Sequence, residues 1–127
     1  MWRTLWLLWT AVILCVTTMP WSNFKGHSHW ANIGWIPFYD PPLTLFDILA
    51  NLLLFVPFGF CYVRFRQSRQ RAATWLRPVL LAGLLSASVE FFQVFCHNRI
   101  SSTTDLCSNI IGAAIGTALA LKGRKPS

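Results

Sequence analysis

The chain has 127 residues, 54% of them apolar and 12% charged, with a formal net charge of +7. That length suits a single domain, and the charged fraction is about half the roughly 25% of an ordinary soluble domain. A basic chain this apolar is either a nucleic-acid binder, with its cations on a soluble face, or a membrane protein, with its cations on one side of the bilayer.

An apolar stretch over about residues 4–20 follows Arg3. A basic start before an apolar run also fits a secretory signal peptide. No A-x-A-like cleavage site follows, and Trp2, Trp6, Trp9 and Trp21 crowd the stretch. Trp concentrates at membrane interfaces, so the expectation is an uncleaved first helix. Residues 20–43 carry Pro20, Pro37, Pro41 and Pro42 with Gly26 and Gly34, a mixture no single regular helix tolerates. Their Trp30, Trp35, Ile36, Phe38 and Tyr39 suit a loop lying on the membrane surface. Three further apolar stretches, about 44–63, 76–96 and 104–121, complete an all-α bundle of four transmembrane helices. The last is short against the ~20 residues of a spanning helix, a deficit that mild bilayer thinning absorbs.

With four spans, Arg3, Arg64, Arg66, Arg69, Arg71, Arg77, Lys122, Arg124 and Lys125 all fall on one side, and only Lys25 and Arg99 on the other. This bias predicts that both chain ends are cytoplasmic. It argues against nucleic acid as the partner of the arginine-rich segment and for topology plus anionic lipid. Cys15, Cys61, Cys96 and Cys107 have no zinc spacing and read as small packing residues. His27 and His29 form an H-S-H stretch without nearby acids or cysteines, a weak metal signal. No G-x-S-x-G, HExxH, P-loop or paired-Cys motif is present, so neither a metal nor a cofactor is expected.

Asp47, Glu90 and Asp105 lie in or at the edge of the apolar stretches. A charged group inside a bilayer costs roughly 2.5–3.5 kcal/mol on insertion scales. Each acid has an amide partner on its own helical face: Asn51, Gln93 and Asn109. At ~1.5 Å per residue, Asn51, Glu90 and Asn109 come ~18–20 Å from the cytoplasmic surface, and Asp47, Gln93 and Asp105 ~24 Å. Arg99 lies just above them, in the outer connection. The expectation is a polar cluster open to the outer face, with Arg99 pairing with Asp105 or Asp47. The alternative is interhelical hydrogen bonding alone, at ~0.6 kcal/mol per contact on average. Gly112 and Gly116 form a GxxxG stripe continuous with Asp105 and Asn109, suited to close helix approach.

The runs FDILANLLLFVPFGF (46–60) and SVEFFQVFCHNRISSTTDLCSNIIGAAIG (88–116) resemble the VanZ-like family of small bacterial membrane proteins. The shared pattern is D-x3-N-x3-F-x-P-x-G, an E-x2-Q pair, an arginine and D-x3-N-x2-G. Here these are Asp47, Asn51, Phe55, Pro57, Gly59, Glu90, Gln93, Arg99, Asp105, Asn109 and Gly112, and the resemblance covers 46–116. It implies a multi-pass protein of the bacterial inner membrane, and the family is named for association with teicoplanin resistance.

Three functions follow as expectations. The first is a non-catalytic envelope or glycopeptide-susceptibility factor binding a polar or lipid-linked ligand from the outer leaflet. In it, Asp47, Glu90 and Asp105 supply acceptors, Asn51, Gln93 and Asn109 orienting hydrogen bonds, and Arg99 an anionic contact. Pro57, Gly59, Gly112 and Gly116 serve helix packing. The second is an intramembrane enzyme acting on a lipid-linked envelope precursor, with Glu90 as general acid or base. No nucleophile–base pair is recognisable for it. The third is a small proton-coupled exporter, disfavoured because the first helix has no acid and the cluster sits off-centre.

Overall fold

A computed structural model describes residues 1–40, 44–97 and 99–123. Pro41, Pro42, Arg124 and Lys125 lie outside the described residues. The fold is all-α, with helices α1 (Trp2–Thr18), α2 (Leu45–Ser68), α3 (Leu76–Val94) and α4 (Thr103–Lys122). Helices α2, α3 and α4 are long and apolar enough to cross a membrane, whereas α1 is a shorter apolar helix. Its 17 residues span about 25 Å.

The helix ends differ from the sequence expectation in instructive ways. Helix α1 stops at Thr18, before Pro20, and α3 stops at Val94. Helix α2 runs past Val63 to Ser68 and so takes in Arg64 and Arg66. Composition ends a span where apolar residues stop, but the backbone ends a helix where its carbonyls find a cap. That cap is a Schellman turn: Gln70 sits at φ +53°, Gln70 N–H donates to Gln67 O, and Arg71 N–H donates to Arg66 O. Pro57 lies inside α2, which continues through it.

The closest packing joins α2 to α4. A Cβ added to Gly112 would collide with the Leu52 carbonyl, and one added to Gly116 with the Val56 carbonyl. Gly59 meets the Ala113 carbonyl in the same way. Lipid tails are as apolar as leucine, so burial alone does not drive helices together in a bilayer; close backbone fit carries more of the association. The pairs Leu52–Gly112 and Val56–Gly116 advance together along both helices, so α2 and α4 run parallel. Their N-termini therefore share one end of the bundle.

Helix α1 packs on α2 through aromatic rings. Trp6 lies 5.7 Å from Phe58 and 5.3 Å from Tyr62, and Trp9 Nε1 donates to Leu54 O at 2.7 Å. The core consists of Ile13, Phe55, Phe58, Ala82 and Ala113. Leu8, Leu53, Leu84, Phe91, Ile115 and Leu119 stay on the outside of the bundle. Apolar residues inside and outside alike are what a helix set bathed in lipid requires.

The loop after α1 is more than a surface strap. Short 3₁₀ turns at Trp21–Asn23 and Trp30–Asn32 shape it. It is stitched to the α3–α4 connection through Lys25 N–H to Phe95 O, His29 N–H to Val94 O, Gly34 N–H to Ser101 O and His97 N–H to Asn23 O. Isolated bridges at Phe24–Cys96 and Gly34–Ser102 complete the seam. The loop thus caps the end of the bundle that holds the α2 and α4 N-termini.

Candidate functional site

At that end all seven residues of the expected polar cluster line one cavity of about 640 Å³. Asp47 and Asn51 come from α2, Glu90 and Gln93 from α3, and Asp105 and Asn109 from α4. Arg99 comes from the α3–α4 connection, and Val16 and Thr17 bring α1 to the wall.

Two of the acids have a local reason for their position. Thr44 is the N-cap of α2 and accepts from Asp47 N–H at 3.1 Å, while its hydroxyl donates to Asp47 Oδ2. Ser102 is the N-cap of α4 and accepts from Thr104 N–H at 3.1 Å. Asp47 and Asp105 are each the third residue of their helix, where the aligned peptide dipoles favour negative charge. The signatures T-x-x-D at 44–47 and S-x-x-D at 102–105 are capping-box patterns legible in the sequence. Only the first closes on its own cap, because Asp105 is used across the bundle.

Asn51 Nδ2 donates to Asp105 Oδ1 at 2.8 Å, tying α2 to α4. Asn109 Nδ2 donates to Ser86 Oγ at 2.8 Å, tying α4 to α3, and buried Asn109 Oδ1 has no partner among the described residues. Gln93 Nε2 donates to Thr17 O at 2.9 Å, tying α3 to α1. Glu90 Oε2 accepts from Ser101 Oγ and Ser102 N–H, both at 2.8 Å. The expected equal-depth trio of Asn51, Glu90 and Asn109 shares the cavity without these bonds joining its members: each reaches a different helix or loop.

Arg99 departs from expectation. Its hydrogen bonds run from Nη2 to the carbonyls of Met19 at 3.2 Å and Val16 at 3.4 Å, rather than to Asp47 or Asp105. The end of α1 leaves those carbonyls without helical partners, and the exposed arginine serves them. It remains within electrostatic range of Asp105, as do Asp47 and Glu90.

Thr44, Ser101 and Ser102 were not singled out from the sequence. The capping pattern points to Thr44 and Ser102, but nothing in the chain's order announces that Ser101 meets Glu90. The three histidines also converge, with His27 and His29 rings 4.9 Å apart and His29 and His97 rings 5.9 Å apart. Among the described residues no group of three His, Cys, Asp or Glu is placed to hold a metal ion. Cys15, Cys61, Cys96 and Cys107 are all free.

A family model described as VanZ/LLP1 matches residues 3–122. The chain belongs to the VanZ/LLP1 family. No curated protein and no solved structure matches it. The match takes in α1 and the Trp-rich loop, beyond the 46–116 segment that carries the sequence resemblance. This VanZ/LLP1 chain is therefore a helical membrane protein, and the seven polar residues named above line one cavity of its bundle.

The rim of the cavity is mixed, with exposed apolar side chains beside exposed Asp47 and Arg99. Phe46 is 78% exposed and Val16 57%, and Ile100 is exposed beside them. In a bundle set in lipid, these apolar side chains border acyl chains; Glu90 and Asp105 lie further in, while exposed Asp47 and Arg99 stand at the mouth. The site can receive hydrogen-bond donors or a cation on a molecule that also has an apolar part.

Proposed function

We propose that this VanZ/LLP1 protein is a cell-envelope factor of the bacterial inner membrane that binds the polar head of an amphiphile from the outer leaflet. The observation that carries the reading is the composition of the cavity wall: three carboxylates against one arginine, with exposed apolar Val16, Phe46 and Ile100 at its mouth. One oxygen of each acid is held by Thr44, Asn51 or the Ser101–Ser102 pair. The second oxygen of each is free of these bonds and serves as an acceptor. Hydroxyls and ammonium groups satisfy such acceptors, and a phosphate does not. The head is therefore sugar- or amine-bearing, and a volume of about 640 Å³ lies within the range of sites that enclose one small-molecule group. Any effect on glycopeptide susceptibility would follow from the handling of such a head.

The test is native mass spectrometry of the purified chain with phosphatidylethanolamine and a glucosyl-diacylglycerol. Retention of either lipid that falls at least about tenfold in Glu90→Gln/Asp105→Asn supports the reading, the equivalent of roughly 1.4 kcal/mol. Retention unchanged in that variant overturns it.

A second reading, an intramembrane enzyme, gains one specific observation. Ser101 is buried and its hydroxyl donates to Glu90 Oε2 at 2.8 Å, a nucleophile–base contact absent from the linear sequence. Against it, the same oxygen also accepts from Ser102 N–H and so is already engaged by a second donor. Covalent labelling of wild type but not Ser101→Ala by a fluorophosphonate would favour the enzyme.

A further inference from the structure

The opposite end of the bundle has the reverse chemistry. The Schellman turn after α2 folds the chain back so that Arg66, Arg69 and Arg71 surround one concavity of about 300 Å³, with Tyr62 and Phe65 as its remaining walls. Arg66 is fixed in place, donating through Nη2 to Ala72 O at 3.2 Å. Arg71 also borders an adjoining cavity of about 310 Å³ with Gln67, whose buried Nε2 has no hydrogen-bond partner among the described residues. Trp6 stacks on Phe65 at 6.4 Å with an interplanar angle of 11°, so the aromatic walls are backed by α1.

Among the described residues this concavity has no acidic side chain in its walls. The sequence has four acidic side chains, Asp40, Asp47, Glu90 and Asp105. Asp47, Glu90 and Asp105 belong to the cavity at the other end, and Asp40 lies in the loop that caps that end, accepting from Ile36 N–H. Three guanidiniums in one pocket repel one another, and among the described residues no carboxylate side chain is at hand to offset this. The balancing anion comes from outside. Arginine forks match tetrahedral oxyanions such as phosphate. The aromatic walls fit the glycerol and first methylenes that follow a phosphate in a lipid, and a free anion would have no use for them.

We infer that the Arg66–Arg69–Arg71 pocket with Tyr62 and Phe65 binds the phosphate headgroup of an anionic phospholipid. The site is independent of the acidic cavity, and its ligand carries the opposite charge. It makes the α2–α3 turn a specific lipid contact, distinct from the diffuse attraction of basic residues to an anionic membrane.

The test uses the full chain and native mass spectrometry with phosphatidylglycerol, phosphatidylcholine and inorganic phosphate. Arg69→Gln/Arg71→Gln removes two exposed guanidiniums and leaves the backbone hydrogen bonds of the turn in place. Arg3→Gln/Lys122→Gln removes the same charge at other helix ends and serves as control. Circular dichroism and gel filtration check that both fold. Each basic residue at an anionic surface is worth roughly fivefold in affinity. The expected result is wild-type preference for phosphatidylglycerol over phosphatidylcholine, lost at least about tenfold in the pocket variant and less than about threefold in the control. Equal losses in both variants overturn the pocket in favour of a diffuse field. Equal retention of phosphatidylcholine overturns the phosphate-charge argument. Displacement of phosphatidylglycerol by millimolar inorganic phosphate overturns the lipid as ligand. The acidic-cavity variant Glu90→Gln/Asp105→Asn keeps phosphatidylglycerol, so the two sites fail separately.

Discussion

Asn51 on α2 donates to the carboxylate of Asp105 on α4 at 2.8 Å, at the end of the bundle where both helices begin. The contact is half-buried and charge-assisted. Hydrogen bonds between membrane helices average ~0.6 kcal/mol, and those to charged groups reach ~1.5–3 kcal/mol in soluble proteins. Asn51→Ala is expected to destabilise the protein by about 1 kcal/mol, measured by thermal unfolding in detergent. A double-mutant cycle with Asp105→Ala, which removes the acceptor, isolates the coupling. A coupling energy indistinguishable from zero would refute the contact.

Gly116 and Gly83 make opposite predictions. A methyl group at 116 meets the Val56 backbone, which cannot move aside as a flexible side chain would. At Gly83 the nearest atom is Ile110 Cδ1 at 3.7 Å, an ordinary contact. Gly116→Ala should separate α4 from α2 and cost several kcal/mol, seen as a broadened gel-filtration profile and early melting. Gly83→Ala should be neutral, or stabilising by up to about 1 kcal/mol through helix propensity. A healthy Gly116→Ala protein would show that the two helices are not in backbone contact.

Glu90 has a role that its charge alone does not describe. It satisfies Ser101 Oγ and Ser102 N–H, both from buried residues. Glu90→Gln keeps an acceptor oxygen there, whereas Glu90→Ala leaves two buried donors unpaired at ~1–3 kcal/mol each. The expected stability order is wild type, then Gln, then Ala, with about 2 kcal/mol or more between the last two. Arg99→Ala should cost under about 1 kcal/mol, because its contacts are exposed and water can replace them. An Arg99→Ala protein less stable than Glu90→Ala would reverse this assignment.

Topology is tested by cysteine labelling in a cysteine-free background. Ser68→Cys lies at the arginine end and His27→Cys in the capping loop at the opposite end. Positive-inside bias predicts that an impermeant maleimide reaches position 27 in intact cells and position 68 only after permeabilisation. The reverse pattern would invert the protein and place the acidic cavity on the cytoplasmic side.

The sequence by itself determined the all-α class, the four helices and the residues worth asking about. Apolar stretch length sets which segments can be helices in lipid, and an ionisable residue inside such a stretch is too costly to be incidental. Helical periodicity then paired Asp47 with Asn51, Glu90 with Gln93 and Asp105 with Asn109 on common faces. Partners across helices were beyond its reach. Depth counting set Asn51 level with Glu90 and Asn109, yet Asn51 bonds Asp105, one layer further out, because side-chain reach and the parallel approach at Gly112 and Gly116 bring those two together. Arg99 seemed bound to seek a carboxylate, but the unpaired carbonyls at the end of α1 lie within its reach. Likewise the helix boundary at Ser68, and with it the arginine pocket, depends on a left-handed residue at Gln70 that composition does not announce. Local pattern fixes which face a residue occupies; only the packing of the helices decides which partner it meets there.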